Sequence, residues 1–183
     1  INQLQDYVNN QNPLRISNGN PNLEQEYNHG IKFQYRDIRK KTGRSLNVNV
    51  DFNYTNDKII NAIQTTDTTL VLFDDIILGA GGQYSSPVNV DGAYNIRLTS
   101  NYGTPIKKWK INLNVSNNIY YSSNFSVLNE VFVNSSRYGL HQRVGIATNI
   151  SKAFVASVNY GVQANVTNNP LGKIPRYTVT NQT

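Results

Sequence analysis

The stretch WKINLNVSNNIYY, from Trp109 to Tyr121, can be read as two interleaved sets. Trp109, Ile111, Leu113, Val115, Asn117, Ile119 and Tyr121 form one; Lys110, Asn112, Asn114, Ser116, Asn118 and Tyr120 form the other. Successive side chains of a strand point to opposite faces, so this period of two predicts one apolar face and one polar face. An aromatic residue closes each end of the apolar set. Twelve residue steps at ~3.3 Å span about 40 Å, and a tilt of roughly 40° leaves about 30 Å of height. That height fits an apolar membrane band with its aromatic girdles. The stretch is therefore predicted to be a membrane-spanning β-strand, and the rest of the chain is laid out around it.

Bulk composition agrees with a β-protein in a membrane. The chain has 183 residues, no Cys and no Met. Neither disulfides nor thiolate metal sites are expected, and no apolar run approaches the ~20 residues of a membrane helix. Only 15% of residues are charged, against about 25% in a typical soluble domain. Mean hydropathy is nevertheless −0.48, because Asn, Ser, Thr, Gln and Tyr take the place of the charges. This profile excludes a soluble helical protein, and the regular alternation argues against long disorder. The chain begins at Ile1 with no charged or apolar leader, so a mature chain or a piece of a longer one is expected.

The net charge of +6 is gathered at turns. Arg36, Arg39, Lys40, Lys41 and Arg44 surround one, and Lys107, Lys108 and Lys110 another. Basic turns between nearly uncharged strands suit lipid headgroups at one membrane surface. They equally suit solvated turns without a partner. Nucleic acid is not expected as a partner.

Residues 1–26 show no sustained period and are expected to form an extracellular loop, with one helical turn at Leu4 to Val8. Residues 27–183 read as an all-β antiparallel barrel segment of about seven strands. The first begins at Tyr27, and the second, with Leu46, Val48, Val50, Phe52 and Tyr54 on one face, runs to about Ile63. A third covers about 92–105, Trp109 opens the fourth, the fifth holds Tyr138 to Ile150, the sixth starts at Phe154 and a seventh at Arg176. Short connections at 37–44, 104–108 and 151–153 alternate with long ones at 65–91, 124–136 and 168–175. Outer-membrane barrels show this asymmetry between periplasmic turns and extracellular loops. Within 65–91, Leu70 to Phe73 and Ile76 to Leu78 suggest a hairpin standing beyond the membrane. The intervening Asp74 and Asp75 are read as a solvated turn rather than a cation site.

Alternation alone does not say which face meets lipid, since a soluble barrel turns its apolar face inward. Here the polar face consists of Asn, Ser, Gly, Gln and Thr, with little of the Lys and Glu that water-facing sheets carry. The apolar face ends in aromatics. The aromatic girdle is accordingly predicted at Tyr27, Tyr35, Tyr54, Tyr94, Tyr102, Trp109, Tyr121, Tyr138 and Phe154. Lys32, Arg36, Asp51, Arg97, His141 and Arg143 have the parity of the barrel lumen, where they pair with a plug or line a solute path.

The segment from Leu4 to Arg36 resembles the barrel of TonB-dependent receptors, closest to the outer-membrane β-barrel proteins common in Bacteroidetes. Its signature is Gly19-Asn20-Pro21-Asn22-Leu23-Glu24-Gln25-Glu26, with Gln25 where the family has Pro. Pro87 to Gly92, then Gly103-Thr104-Pro105 and a basic-aromatic turn, extend the likeness over nearly the whole chain. The resemblance implies a multi-pass outer-membrane barrel of about 22 strands around a plug. It also implies uptake of an iron chelate, glycan, peptide or vitamin, energised through TonB, with a surface lipoprotein as a further possible partner. Neither plug nor TonB box is present in these residues. Read physically, Asn20-Pro21 fixes an extended bend and Leu23 packs on the barrel rim, so that Tyr27 enters in register. A structural or secretion-associated barrel without transport, and a soluble adhesin or carbohydrate-binding module, stay open as alternatives.

No nucleophile, base and acid constellation is present, so an enzyme is not expected, and neither is a cofactor. His29 and His141, far apart in sequence and on opposite parities, make a poor metal site. Gly79-Ala80-Gly81-Gly82 lacks the Lys and helix of a phosphate loop.

Overall fold

The computed structural model describes residues 2–72, 76–151 and 154–168. The pair Asp74/Asp75, the middle of the turn at 151–153, the connection beyond 168 and the strand expected from Arg176 lie outside the described residues. Among these residues the chain forms, in order, strands β1 (Val8–Asn12), β2 (Arg15–Asn18), β3 (Tyr27–Arg39), β4 (Arg44–Asn56), β5 (Lys58–Thr65) and β6 (Leu70–Val71). There follow β7 (Ile77–Leu78), β8 (Gln83–Val90), β9 (Ala93–Ile106), β10 (Ile111–Leu128), β11 (Val131–Ser151) and β12 (Phe154–Asn168). Among the described residues no helix is long and apolar enough to cross a membrane.

Six of these strands make an antiparallel meander, β3-β4-β9-β10-β11-β12. Because the side-chain period is two, one slip in register would mix the faces; the ladders hold register through their length, and the shift between Asn149 and Ser151 falls only at the turn end of β11–β12. Ile31, Phe52, Ile96, Tyr121, Tyr138 and Val166 fall side by side on one rung, and Phe33, Val50, Leu98, Ile119, Leu140 and Ala164 on the next. These rows meet no protein layer. Ile31 is 69% exposed, Phe33 58% and Val158 71%, whereas the buried apolar side chains among the described residues are Ile16, Leu78, Val90, Ala93, Val127 and Val133. Five of the six lie at the end of the sheet opposite the short turns, and Leu78 is in the β6–β7 hairpin.

Several expectations are corrected there. Trp109 does not open a strand: Lys107–Trp109 is a 3-10 turn closed by Lys110 N–H donating to Lys107 O, and Lys110 itself is left-handed at φ 51. The strand begins at Ile111. The connection expected at 124–136 is no loop, because β10 and β11 continue pairing to Leu128 and Val131. They are joined by Asn129 and Glu130, at φ 48 and 65. Two consecutive left-handed residues match the twist of the flanking strands, the reason such turns favour Asn. With 18 and 21 residues, these strands far exceed the 9–11 residues that cross a bilayer. The 1–26 stretch is not all loop either. It contains the β1–β2 hairpin, turned where Asn12 Oδ1 accepts from Leu14 N–H at 2.9 Å, and its helical turn is at Asn2–Leu4. Finally, 65–91 is not one long connection: it contains the β6–β7 hairpin read from the sequence and β8, which pairs along its whole length with β5.

The β4–β9 ribbon does not simply continue upward. Its ladder ends at Thr55 and Ala93, and the same register resumes at Lys58 and Val90 as β5–β8. Between them Asp57 (φ 50) and Gly92 (φ 83) are both left-handed, and Asp57 N–H donates to Asp91 Oδ1 at 3.0 Å. Below this break β9 lies against β10; above it β5 does, in parallel, through Val127 and Leu128. The ribbon has therefore made a half turn about its own axis. The expected run of the second strand to Ile63 stops at this break. β2 adds to the outer edge of β8, so that β1-β2-β8-β5 forms a small capping sheet. Its apolar side buries Ile16, and Gly82 leaves no room beneath Leu78 for a side chain.

Candidate functional site

The polar face of the meander collects the charged residues singled out in the sequence. Register places Lys32, Asp51, Arg97, Tyr120, Gly139 and Asn165 on one rung. The next carries Thr99, Asn118, His141 and Gln163; the third carries Arg36, Asn47, Asn101, Ser116 and Arg143. Rungs two residues apart are about 7 Å apart. The six lumen candidates thus occupy one patch. Arg137, opposite Ser122 on the rung above, shares their face and escaped the sequence reading; its parity with His141 and Arg143 on β11 was the available signal.

With Arg137 the patch holds five Lys and Arg side chains, Lys32, Arg36, Arg97, Arg137 and Arg143, against one carboxylate, Asp51. Among the described residues the ion pair formed is Arg39 Nε to Asp37 Oδ2, at 2.9 Å, beside a short turn. Around His141 and Arg143 lies a hollow of about 200 Å³ lined also by Thr99, Asn101, Ser116 and Asn118. Asn118 Oδ1 and Asn47 Oδ1 are buried without a hydrogen-bond partner. Such a wall presents cations and unsaturated amides to whatever fills the interior. Beside it Tyr120 lies across Gly139, where any side chain would collide with the ring, and donates to Asn165 Oδ1 at 2.9 Å.

The apolar face gathers the aromatics. Tyr94, Tyr121 and Tyr138 stack with ring centroids 5.5 and 4.7 Å apart, and Tyr54 is in register with Tyr94. Tyr121 and Ser136 hydroxyls are 3.2 Å apart. Tyr27 and Tyr35 are exposed on β3, and Tyr102 on β9. Tyr160, missed as a girdle residue, shares a rung with Tyr102 and is 56% exposed. Trp109, 64% exposed, sits in a turn instead of on the strand face. The side chain of Phe154 lies outside the described residues. His29 pairs with Tyr54 on this face, so the two histidines stay apart. Among the described residues no three His, Cys, Asp or Glu groups converge.

The two stretches that carry the family likeness meet. Asn20 Nδ2 donates to Pro87 O at 3.1 Å, and Glu24 N–H to Asn89 Oδ1 at 2.8 Å. Asn89 Nδ2 reaches both Glu24 O (3.0 Å) and Asp57 O (2.7 Å), and Ile59 N–H donates to Glu26 Oε2 (3.1 Å). Gly19 to Glu26 is thereby clamped onto the half-turned ribbon just before β3 begins.

A single antiparallel layer with exposed apolar rows on one side and amides on the other is the wall of an outer-membrane β-barrel. The chain belongs to the outer membrane protein beta-barrel family, whose profile matches residues 1–181. It is thus a multi-pass outer-membrane protein. No curated protein and no solved structure matches it.

Proposed function

We propose that this chain is part of the barrel of a TonB-dependent transporter, taking up a solute across the outer membrane of a Bacteroidetes-type bacterium. The apolar rows then face hydrocarbon, and the patch of Lys32, Asp51, Arg97, His141 and Arg143 faces the lumen. The short turns are periplasmic, and the end with the capping sheet is extracellular. The observation that carries this reading is the unpaired basic wall. Lys32, Arg36, Arg97, Arg137 and Arg143, with Asp51 the one carboxylate among them, need a counter-charge inside the barrel, which a plug or a passing anionic solute supplies. The clamping of the Gly19–Glu26 signature onto the ribbon is consistent with the register role read from the sequence.

The experiment is carried out on the parent gene. Uptake reading requires a plug and TonB box upstream, crosslinking of that box to TonB, and loss of solute uptake when the proton-motive force is collapsed. A parent without a plug, or one that fails to contact TonB, removes transport and leaves a structural or secretion-associated barrel. The long β10–β11 hairpin and the self-packed cap are the features that favour that second reading, since both build surface structure beyond the bilayer.

A further inference from the structure

The capping sheet has a second face that no part of the wall explains. Ile16 points to its buried side; Ser17, one residue on, points the other way and lies in register with Asn9 on β1 and Ser85 on β8. This outer face curves into a cleft of about 580 Å³ whose lining includes Gln3, Gln5, Tyr7, Asn18, Asn61 and Pro87. No charged side chain lines it. A solvated sheet face ordinarily carries Lys and Glu, yet this cleft is lined by amides, serines, Gly19, Pro87 and one aromatic, with Tyr7 63% exposed. Asn18 Nδ2 is engaged by Asp6 Oδ1 at 3.3 Å, while its own Oδ1 is buried without a partner.

We propose that this cleft binds a neutral, polyhydroxylated ligand, namely an oligosaccharide. Hydroxyl groups both donate and accept, as carboxamides do, so a row of Asn and Gln can match them without charge. The apolar face of a sugar ring packs on an aromatic such as Tyr7, and the absence of Lys, Arg, Asp and Glu disfavours ionic ligands, which would be desolvated without compensation. A cleft of this size lies within the range of small-molecule sites. The proposal rests on the extracellular placement of the cap and not on energy coupling.

The test is binding by the full-length protein in outer-membrane vesicles to an array of neutral glucans, mannans and galactans, plus lipopolysaccharide core oligosaccharide. Saturable binding to a neutral glycan, weakened at least about tenfold by Tyr7→Ala or Asn61→Ala and unchanged by Lys40→Ala, is the expected result. Capture of neutral glycans identifies the ligand class; capture of the core oligosaccharide alone, which carries acidic sugars and phosphate, overturns the neutral-ligand proposal. Binding to no glycan on the array, or binding unaffected by both variants, overturns the proposal. Protease cleavage of the cap from outside intact cells is measured alongside. If the cap is shielded in cells, the extracellular orientation fails; if the cap is cleaved but no glycan binds, the site alone fails.

Discussion

At the scale of single residues, the polar face is held by a few fitted contacts. Tyr120 crosses three strands because Gly139 has no side chain, and the phenol reaches Asn165 on the far one. Gly139→Val forces the ring off its neighbour, and overpacking of this kind costs about 1–3 kcal/mol. Tyr120→Phe keeps the packing and loses one hydrogen bond, about 0.5–1.5 kcal/mol. Urea unfolding in detergent micelles should rank the two in that order. Equal stability of both variants and wild type would mean that the contact contributes nothing. Asn89 is a second such residue, with three hydrogen bonds to Glu24 and Asp57. Asn89→Ala leaves groups at Glu24 and Asp57 unpaired, at about 1–3 kcal/mol. Hydrogen exchange should rise in residues 19–26 while the meander stays protected.

At the scale of the strand, the decisive property is which face meets hydrocarbon. Val115 and Asn114 are neighbours on β10 that point to opposite sides of one layer. If the apolar side faces lipid, Val115→Arg costs about 2–4 kcal/mol and Asn114→Arg much less. Folding yield into lipid bilayers as a function of urea measures both. Identical losses would abolish the assignment of faces. The same ladder explains an oddity in mid-strand. Ser100, Asn117 and Gln142 form a polar rung on the apolar side, and Asn117 Nδ2 donates to Ser100 Oγ at 3.1 Å, which partly satisfies it.

At the scale of the whole molecule, the wall is a charge pattern awaiting its complement. Lys32, Asp51 and Arg97 alternate in sign along one rung, and cross-strand pairs of opposite charge contribute about 0.2–1 kcal/mol each. Asp51→Asn leaves five cations with no carboxylate in the patch. Its stability should fall modestly, and recover with added salt because screening weakens like-charge repulsion. A melt in 20-fold different ionic strengths checks this as an order-of-magnitude comparison; a salt-independent loss would trace the effect to packing instead. The apolar rows also predict that the chain with its flanking sequence aggregates when detergent is withdrawn, read by sedimentation.

Much of this was legible in the residues. Alternation is local, so the parity of Lys32, Asp51, Arg97, His141 and Arg143, the greasy rows and their aromatic ends could all be read from neighbours two apart. The all-β class follows from that alone; the membrane setting needed also the amide composition of the polar face, poor in Lys and Glu. The long-range pairings could not be read this way. The tight turn at Asn129 and Glu130, between Val127-Leu128 and Val131-Phe132-Val133, carries no glycine, and the half turn of the ribbon needs Asp57 as well as Gly92 in a left-handed conformation that Asp57 does not announce locally. The clamp between Glu24 and Asn89 joins positions 65 residues apart, and the amide-lined cleft assembles from β1, β2, β5 and β8. Sequence decided which way each side chain points, because that depends on backbone period; the fold decided which distant strands share an edge, because that depends on hydrogen bonds no local pattern encodes.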